Sequence, residues 1–357
     1  MDWNEWNRKI PPVDQKAAAV CQKHWDSLAK PLGSLGLLED AVVKIAALTG
    51  DPDVRLNKRA AVVICADNGV VRQGVTQTGV EVTASVARNI AKGRGCINRF
   101  SSVAHTDVFP VDLGVAADLS DAGVLQRKIS WGTNDITAGP AMTEEQAERA
   151  LLTGIDLARE LKEKGYQVLI TGEMGIGNTT TSSAIAAVLL HRPIEEMTGR
   201  GAGLSDQGMK RKTAAIRRAI EQNRPNPENA FDVLRKVGGY DIAGMAGLFL
   251  GGALYRVPVL IDGFISSVAA LVAARLCPDS RCAMFATHQS DEPASAAILK
   301  ALNLRPLLYA GMRLGEGTGA VAFLPVIDLA LELYHNMDTF EDLKIDQYKH
   351  LGGEKEC

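Results

Sequence analysis

Aromatic residues make up only 5% of the 357-residue chain, too few for the stacked rings of a single-stranded nucleic-acid platform. An excess of one charge is also missing. The 39 Lys and Arg stand against 42 Asp and Glu, a net charge of −3, so the basic surface that binds nucleic acid or an anionic membrane is not expected. No run of about 18 consecutive apolar residues predicts a membrane helix. The first residues, MDWNEWNRKIPPVDQK, lack the apolar stretch of a secretory leader, and the cytoplasm is the expected compartment. The cysteines Cys21, Cys65, Cys96, Cys277, Cys282 and Cys357 form no C-x-x-C pair, which argues against a disulfide framework or a zinc site. The histidines are scattered, without an i,i+4 pair. His288 near Asp291 and Glu292 reads as a helix cap, so no metal and no cofactor are expected.

Glycine is plentiful, at 34 residues, while the 46% hydrophobic and 23% charged fractions are those of a globular protein. The length allows two or three domains, or one large one with an appendage. Arg59–Ala66 (RAAVVICA) is an unbroken apolar, β-branched run, the pattern of a strand buried on both faces. Further strands are expected at 105–111, 167–171, 257–261 and 283–286. Helices are expected at 80–92, 178–190, 205–222, 240–254, 265–276, 291–302 and 318–335. Thr143-Glu-Glu-Gln146 forms a capping box that opens a helix with Leu151, Ile155, Ala158 and Leu161 on one face. This alternation predicts an α/β fold with a doubly wound, mainly parallel sheet flanked by helices. Ligands bind such sheets outside the C-terminal strand ends. The strandless termini, 1–55 and 320–357, are expected to form a small helical domain beside a large domain, 56–319. The tail from residue 345 reads as poorly ordered.

Three glycine loops carry the chemistry. Gly172-Glu-Met-Gly-Ile-Gly177-Asn-Thr-Thr180 runs from a strand into a helix. Its glycines admit a close ligand, and the helix N-terminus supplies N–H groups and partial positive charge, the makeup of a phosphate site. The spacing is neither that of a P-loop nor G-x-G-x-x-G. A tight strand–helix turn is the plainer alternative. Gly199-Arg-Gly201-Ala-Gly203 precedes a helix bearing Lys210, Arg211 and Lys212, of which at least one is expected on a solvated face. Arg313-Leu-Gly315-Glu316-Gly317-Thr-Gly319 places a glutamate between glycines. Such a loop holds a particular strained shape. Glu316 is either a first-turn residue favouring the helix dipole or a carboxylate in a glycine-walled pocket, a candidate general base.

Together, KPLGSLGLLE (30–39), CADNGV (65–70), GEMGIGNTT (172–180), KVGGYDIAGM (236–245), VLIDGFISS (259–267) and MRLGEGTGA (312–320) resemble the nicotinate-nucleotide–dimethylbenzimidazole phosphoribosyltransferases over nearly the whole chain. The resemblance implies a homodimer of α/β subunits that makes an α-ribazole 5′-phosphate and nicotinate from nicotinate mononucleotide and a base, in cobalamin synthesis. It implies that Glu316 accepts the proton. It places Glu173, Met174, Gly175, Gly177, Asn178, Thr179, Thr180, Gly201, Gly203, Lys212, Asp262, Ser290, Arg313, Leu314 and Gly315 around the substrates. In the base-binding segment, Thr78 stands where Ser often sits, Val86 where a benzimidazole enzyme carries Gln, and Asn68 where His is common. These departures leave the base open among benzimidazoles, purines and phenols. They also leave a pairing with a paralogous subunit open beside the homodimer. The other readings are a non-catalytic nucleotide-binding subunit, disfavoured by the intact glutamate, and a nicotinamide-dependent dehydrogenase, disfavoured by the missing G-x-G-x-x-G.

Overall fold

The structure, a computed structural model, describes residues 2–349. The chain divides into two compact units. One runs from the N-terminus to Pro11 and from Leu56 to Phe323; the other takes Pro12–Arg55 and the chain from Leu324 onward.

The first unit is built on a six-stranded parallel sheet: β1 (Arg59–Ala66), β2 (Thr106–Gly114), β3 (Leu125–Gln126), β4 (Val168–Met174), β5 (Val259–Ile261) and β6 (Met284–Ala286). Its order is β3-β2-β1-β4-β5-β6, so the winding reverses between β1 and β4. All eight residues of β1 are buried, as its apolar run predicts for a central strand covered on both faces. The capping box is formed: Thr143 Oγ1 accepts the Gln146 N–H and Gln146 Oε1 accepts that of Thr143. The helix it opens, Glu144–Glu163, buries Leu151, Ile155, Ala158 and Leu161. It packs on the almost wholly buried helix Tyr240–Leu254. Gly154 lies against the backbone of Gly244 and Gly247, where a side chain would collide.

β4 runs three residues further than expected. Gly172, Glu173 and Met174 continue its pairing with Val63, Ile64 and Cys65 of β1, so the first glycine loop begins inside the sheet. The helix expected at 291–302 is confined to Ser295–Ala301. The helix Cys96–Val103, eight residues long, and the two-residue β3 are too short to be read from a periodic pattern.

In the second unit, helices Gln15–Ser27 and Leu37–Thr49 are separated by a break that contains Lys30–Gly36, KPLGSLG. The break closes on itself: Glu39 Oε1 accepts from Lys30 Nζ at 2.8 Å and from the Leu35 N–H at 2.9 Å, with both charged groups buried. Trp25 is fully buried, its ring 4.9 Å from that of Tyr334. Helix Thr318–Asn336 has a mean hydropathy of 1.2 and the length to cross a membrane, but 56% of that stretch is buried in the fold and it contains Pro325. From residue 350 onward the tail read as poorly ordered lies outside the described residues.

Candidate active site

A cavity of about 230 Å³ opens at the C-terminal ends of β4, β5 and β6, with Met312–Gly319 forming one wall. It gathers Glu173, Met174, Gly175, Asn178, Thr179, Gly201, Asp262, Ser290, Arg313, Leu314, Gly315 and Glu316 from the residues picked out in the sequence. The exits of β4, β5 and β6 therefore converge, as ligand sites in parallel sheets do, while Asp67, Asn68 and Gly69 at the exit of β1 line a separate cavity.

The wall that bears Glu316 is conformationally costly. Gly315, Glu316 and Gly317 are three successive residues with φ of 89°, 60° and 94°. Glycine adopts this region freely, but a glutamate there is strained by roughly 1–2 kcal/mol. Asp262, at the exit of β5, holds the loop in place. Its Oδ2 accepts the Gly317 N–H at 3.1 Å, and Oδ1 accepts those of Gly319 at 2.8 Å and Ala320 at 3.0 Å. Gly172 lets the loop lie on β4, because a side chain there would collide with the Glu316 carbonyl. Glu316 itself is half-buried, and its Oε2 accepts the Ile97 N–H at 3.0 Å.

Glu173 is placed differently. It is buried at the end of β4, where Asn178 Nδ2 donates to it and also to Asp241 Oδ2, the latter at 3.0 Å. Burial first, then the nearby Asp241 charge, push its carboxyl up to about 8. Burial likewise pushes Asp241 up to about 6, against the hydrogen bond from Asn178. At neutral pH Glu173 is therefore mostly protonated and Asp241 mostly ionised. His288, packed against Gly319, is pushed down by burial, an effect the Asp262 charge opposes.

The glycine-loop residues divide. Gly177, at φ 96°, is the N-cap of helix Asn178–Leu189, with no side-chain cap bond. With Thr78 it lines an adjoining cavity of about 190 Å³, which shares Gly175, Asn178 and Thr179 with the first. Gly203 borders a third cavity. Thr180 does not face the ligand space: it is fully buried, its hydroxyl unpartnered. Val86 is half-buried on helix Glu81–Ala91 and is in none of these linings. Lys210 and Arg211 are exposed, whereas Lys212 is completely buried. Lys212 Nζ donates to Thr179 Oγ1 at 2.8 Å and to the Gly199 carbonyl at 2.9 Å, and burial pushes it down to about 8. The neighbouring Glu292 accepts the Gly201 N–H at 3.1 Å, and Asp291 pairs with Arg313 at 3.0 Å. Asp241, Ile97, His288 and Glu292 were not singled out as ligand-site residues. Asp241 lies inside a recognised motif, but nothing in the local sequence marks Ile97.

A family model described as phosphoribosyltransferase matches residues 10–345. The chain belongs to the phosphoribosyltransferase family. Among curated relatives of this phosphoribosyltransferase, the nicotinate-nucleotide–dimethylbenzimidazole phosphoribosyltransferase of Acetivibrio thermocellus is 48% identical over 342 residues, covering 96% of this chain and 97% of the relative. The enzyme of that name from Ruminiclostridium cellulolyticum is 47% identical, covering 98% and 100%. The crystal structure of CobT from Thermus thermophilus superposes with a TM-score of 0.88 at 40% identity, covering 93% of this chain and all of that one.

Proposed function

We propose that the chain transfers the ribose 5-phosphate of nicotinate mononucleotide to 5,6-dimethylbenzimidazole or a related aromatic base. The products are nicotinate and an α-ribazole 5′-phosphate-type nucleotide for the cobalamin lower ligand. The observation that carries this reading is Glu316, a carboxylate presented at the cavity wall by a strained loop that Asp262 grips through three N–H groups. Strain of this kind persists where the surrounding structure holds it and clusters at active sites.

The chemistry follows from the substrates. The leaving group is a pyridinium, and its departure neutralises the ring nitrogen, so it needs no protonation. The incoming base must lose an N–H proton as it bonds to C1′, and Glu316 accepts it. Glu173, mostly protonated at neutral pH, is poorly suited to that role. In-line attack turns a β-linked substrate into an α-linked product, so base and nicotinate lie on opposite sides of the ribose. Positive charge develops on the sugar as the bond breaks, and the Glu316 carboxylate at the cavity wall favours it. The N-terminus of helix Asn178–Leu189, with Lys212 behind Thr179, supplies the field for the 5′-phosphate. In this reading the enzyme works on small molecules in the cytoplasm, as a dimer with itself or a paralogous subunit.

The test is nicotinate release from nicotinate mononucleotide against a panel of benzimidazoles, purines and phenols. Turnover with benzimidazoles is expected. No release with any base overturns the function, and a preference for phenols moves the base assignment.

A further inference from the structure

Glu316 is gripped at two places. Asp262 holds the backbone around it, but the carboxylate is held from a part of the chain 219 residues away. Helix Cys96–Val103 begins there. The N–H groups of a first helical turn have no partner within the helix, and Ile97 gives its own to Glu316 Oε2 at 3.0 Å. The Ile97 side chain is fully buried, and its Cδ1 would lie 3.4 Å from a methyl group built on Gly317. Ile97 therefore meets the loop through both backbone and side chain. The turn carrying it is closed by Asn98, whose Oδ1 accepts the Gly95 N–H at 2.8 Å.

We propose that the Gly95–Asn98 turn positions Glu316, with the Ile97 N–H holding the carboxylate and Asn98 the residue that fixes Ile97. This rests on the reading of Glu316 as proton acceptor. A glutamate side chain has several rotatable bonds, and holding it in one geometry costs entropy. One directed N–H aimed at Oε2 orients the carboxylate while Oε1 remains for the proton. Asn98 acts only through Glu316 and is a positioning residue.

The experiment is steady-state kinetics on Asn98→Ala, on Asn98→Gln, and on Asn98→Ala in a Glu316→Gln background. Asn98→Ala should lower kcat about ten-fold, inside the ~10²-fold that a 1 Å misplacement can cost, with KM for nicotinate mononucleotide unchanged. Asn98→Gln should restore the rate, since Gln at the third helical position bonds back to the N-cap N–H. In the Glu316→Gln background Asn98→Ala should change nothing further, because the group it positions is gone. A wild-type kcat in Asn98→Ala, or a loss that persists in the Glu316→Gln background, overturns the proposal. If Glu316→Gln alone keeps the wild-type rate, the functional reading fails and this one with it.

Discussion

Glu173 and Glu316 line one cavity but are held in different ways. Glu173 sits at the end of a central strand, buried, hydrogen-bonded by Asn178 and close to Asp241, and its carboxyl is pushed up to about 8. Glu316 sits on a loop at φ 60° between two left-handed glycines, half-buried, with a backbone N–H on its carboxylate. The strand places its glutamate without strain but in surroundings that favour the proton. The loop is strained, and it sets a carboxylate where a substrate can reach it. Two carboxyl groups of one residue type can thus take separate tasks from environment alone.

Glu316→Gln breaks the comparison most severely. It keeps size and an acceptor for the Ile97 N–H but cannot take a proton. The expected loss of kcat is about 10²–10⁴-fold, with nicotinate mononucleotide affinity retained. The loss should shrink for a phenol already ionised at the assay pH, because that base has no proton to give. Equal losses for a phenol and a benzimidazole would make Glu316 a positioning group.

Asp262→Asn separates framework from chemistry. Asparagine keeps one oxygen, so at least one of the Gly317, Gly319 and Ala320 N–H groups is left facing an amide. A buried donor without its acceptor costs about 1–3 kcal/mol, and the loop loosens. The unfolding midpoint should fall, and kcat should drop by roughly 10–100-fold through misplacement. By contrast, Glu316→Gln should leave the midpoint nearly unchanged. A thermal melt of Asp262→Asn that matches wild type would show that Asp262 does not hold the loop.

The two glutamates also differ in how far the sequence revealed them. Glu316 stood out because glycines on both sides are locally visible, and the positive φ at all three positions is their physical reason. Glu173 was visible as the residue after a strand, but its proton affinity comes from its burial in the fold and then from Asp241, far along the chain. The parallel sheet was legible because β1 is apolar from Ala60 to Ala66 and turn residues follow it. Helix Cys96–Val103 was not, since its sequence CINRFSSV is only eight residues long. The same limit hid the contact from Ile97 to Glu316, because no spacing rule spans 219 residues. Thr180 misled for a related reason: one hydroxyl residue in a helix's first turn faces the ligand space and the next faces the core.

Glu173→Gln has the smallest expected effect at low pH, and its sign changes the comparison from geometry to protonation. The folded-state value of about 8 lies above the ordinary 4.5. The folded protein therefore holds this proton more tightly than the unfolded chain. The stability it contributes is fully present below pH 4.5 and is lost as pH rises through about 8, by up to ~1.4 kcal/mol per pH unit. Glutamine resembles the protonated acid and does not titrate. At about pH 5 the variant and the wild type should melt within a degree or so of each other. At about pH 9 the wild type must keep an ionised Glu173 beside Asp241, and the variant should melt higher. The check is a pair of denaturation curves at the two pH values. A variant that loses stability equally at both would show that Glu173 is ionised in the folded protein across the range, and the distinction between the two glutamates would then rest on geometry alone.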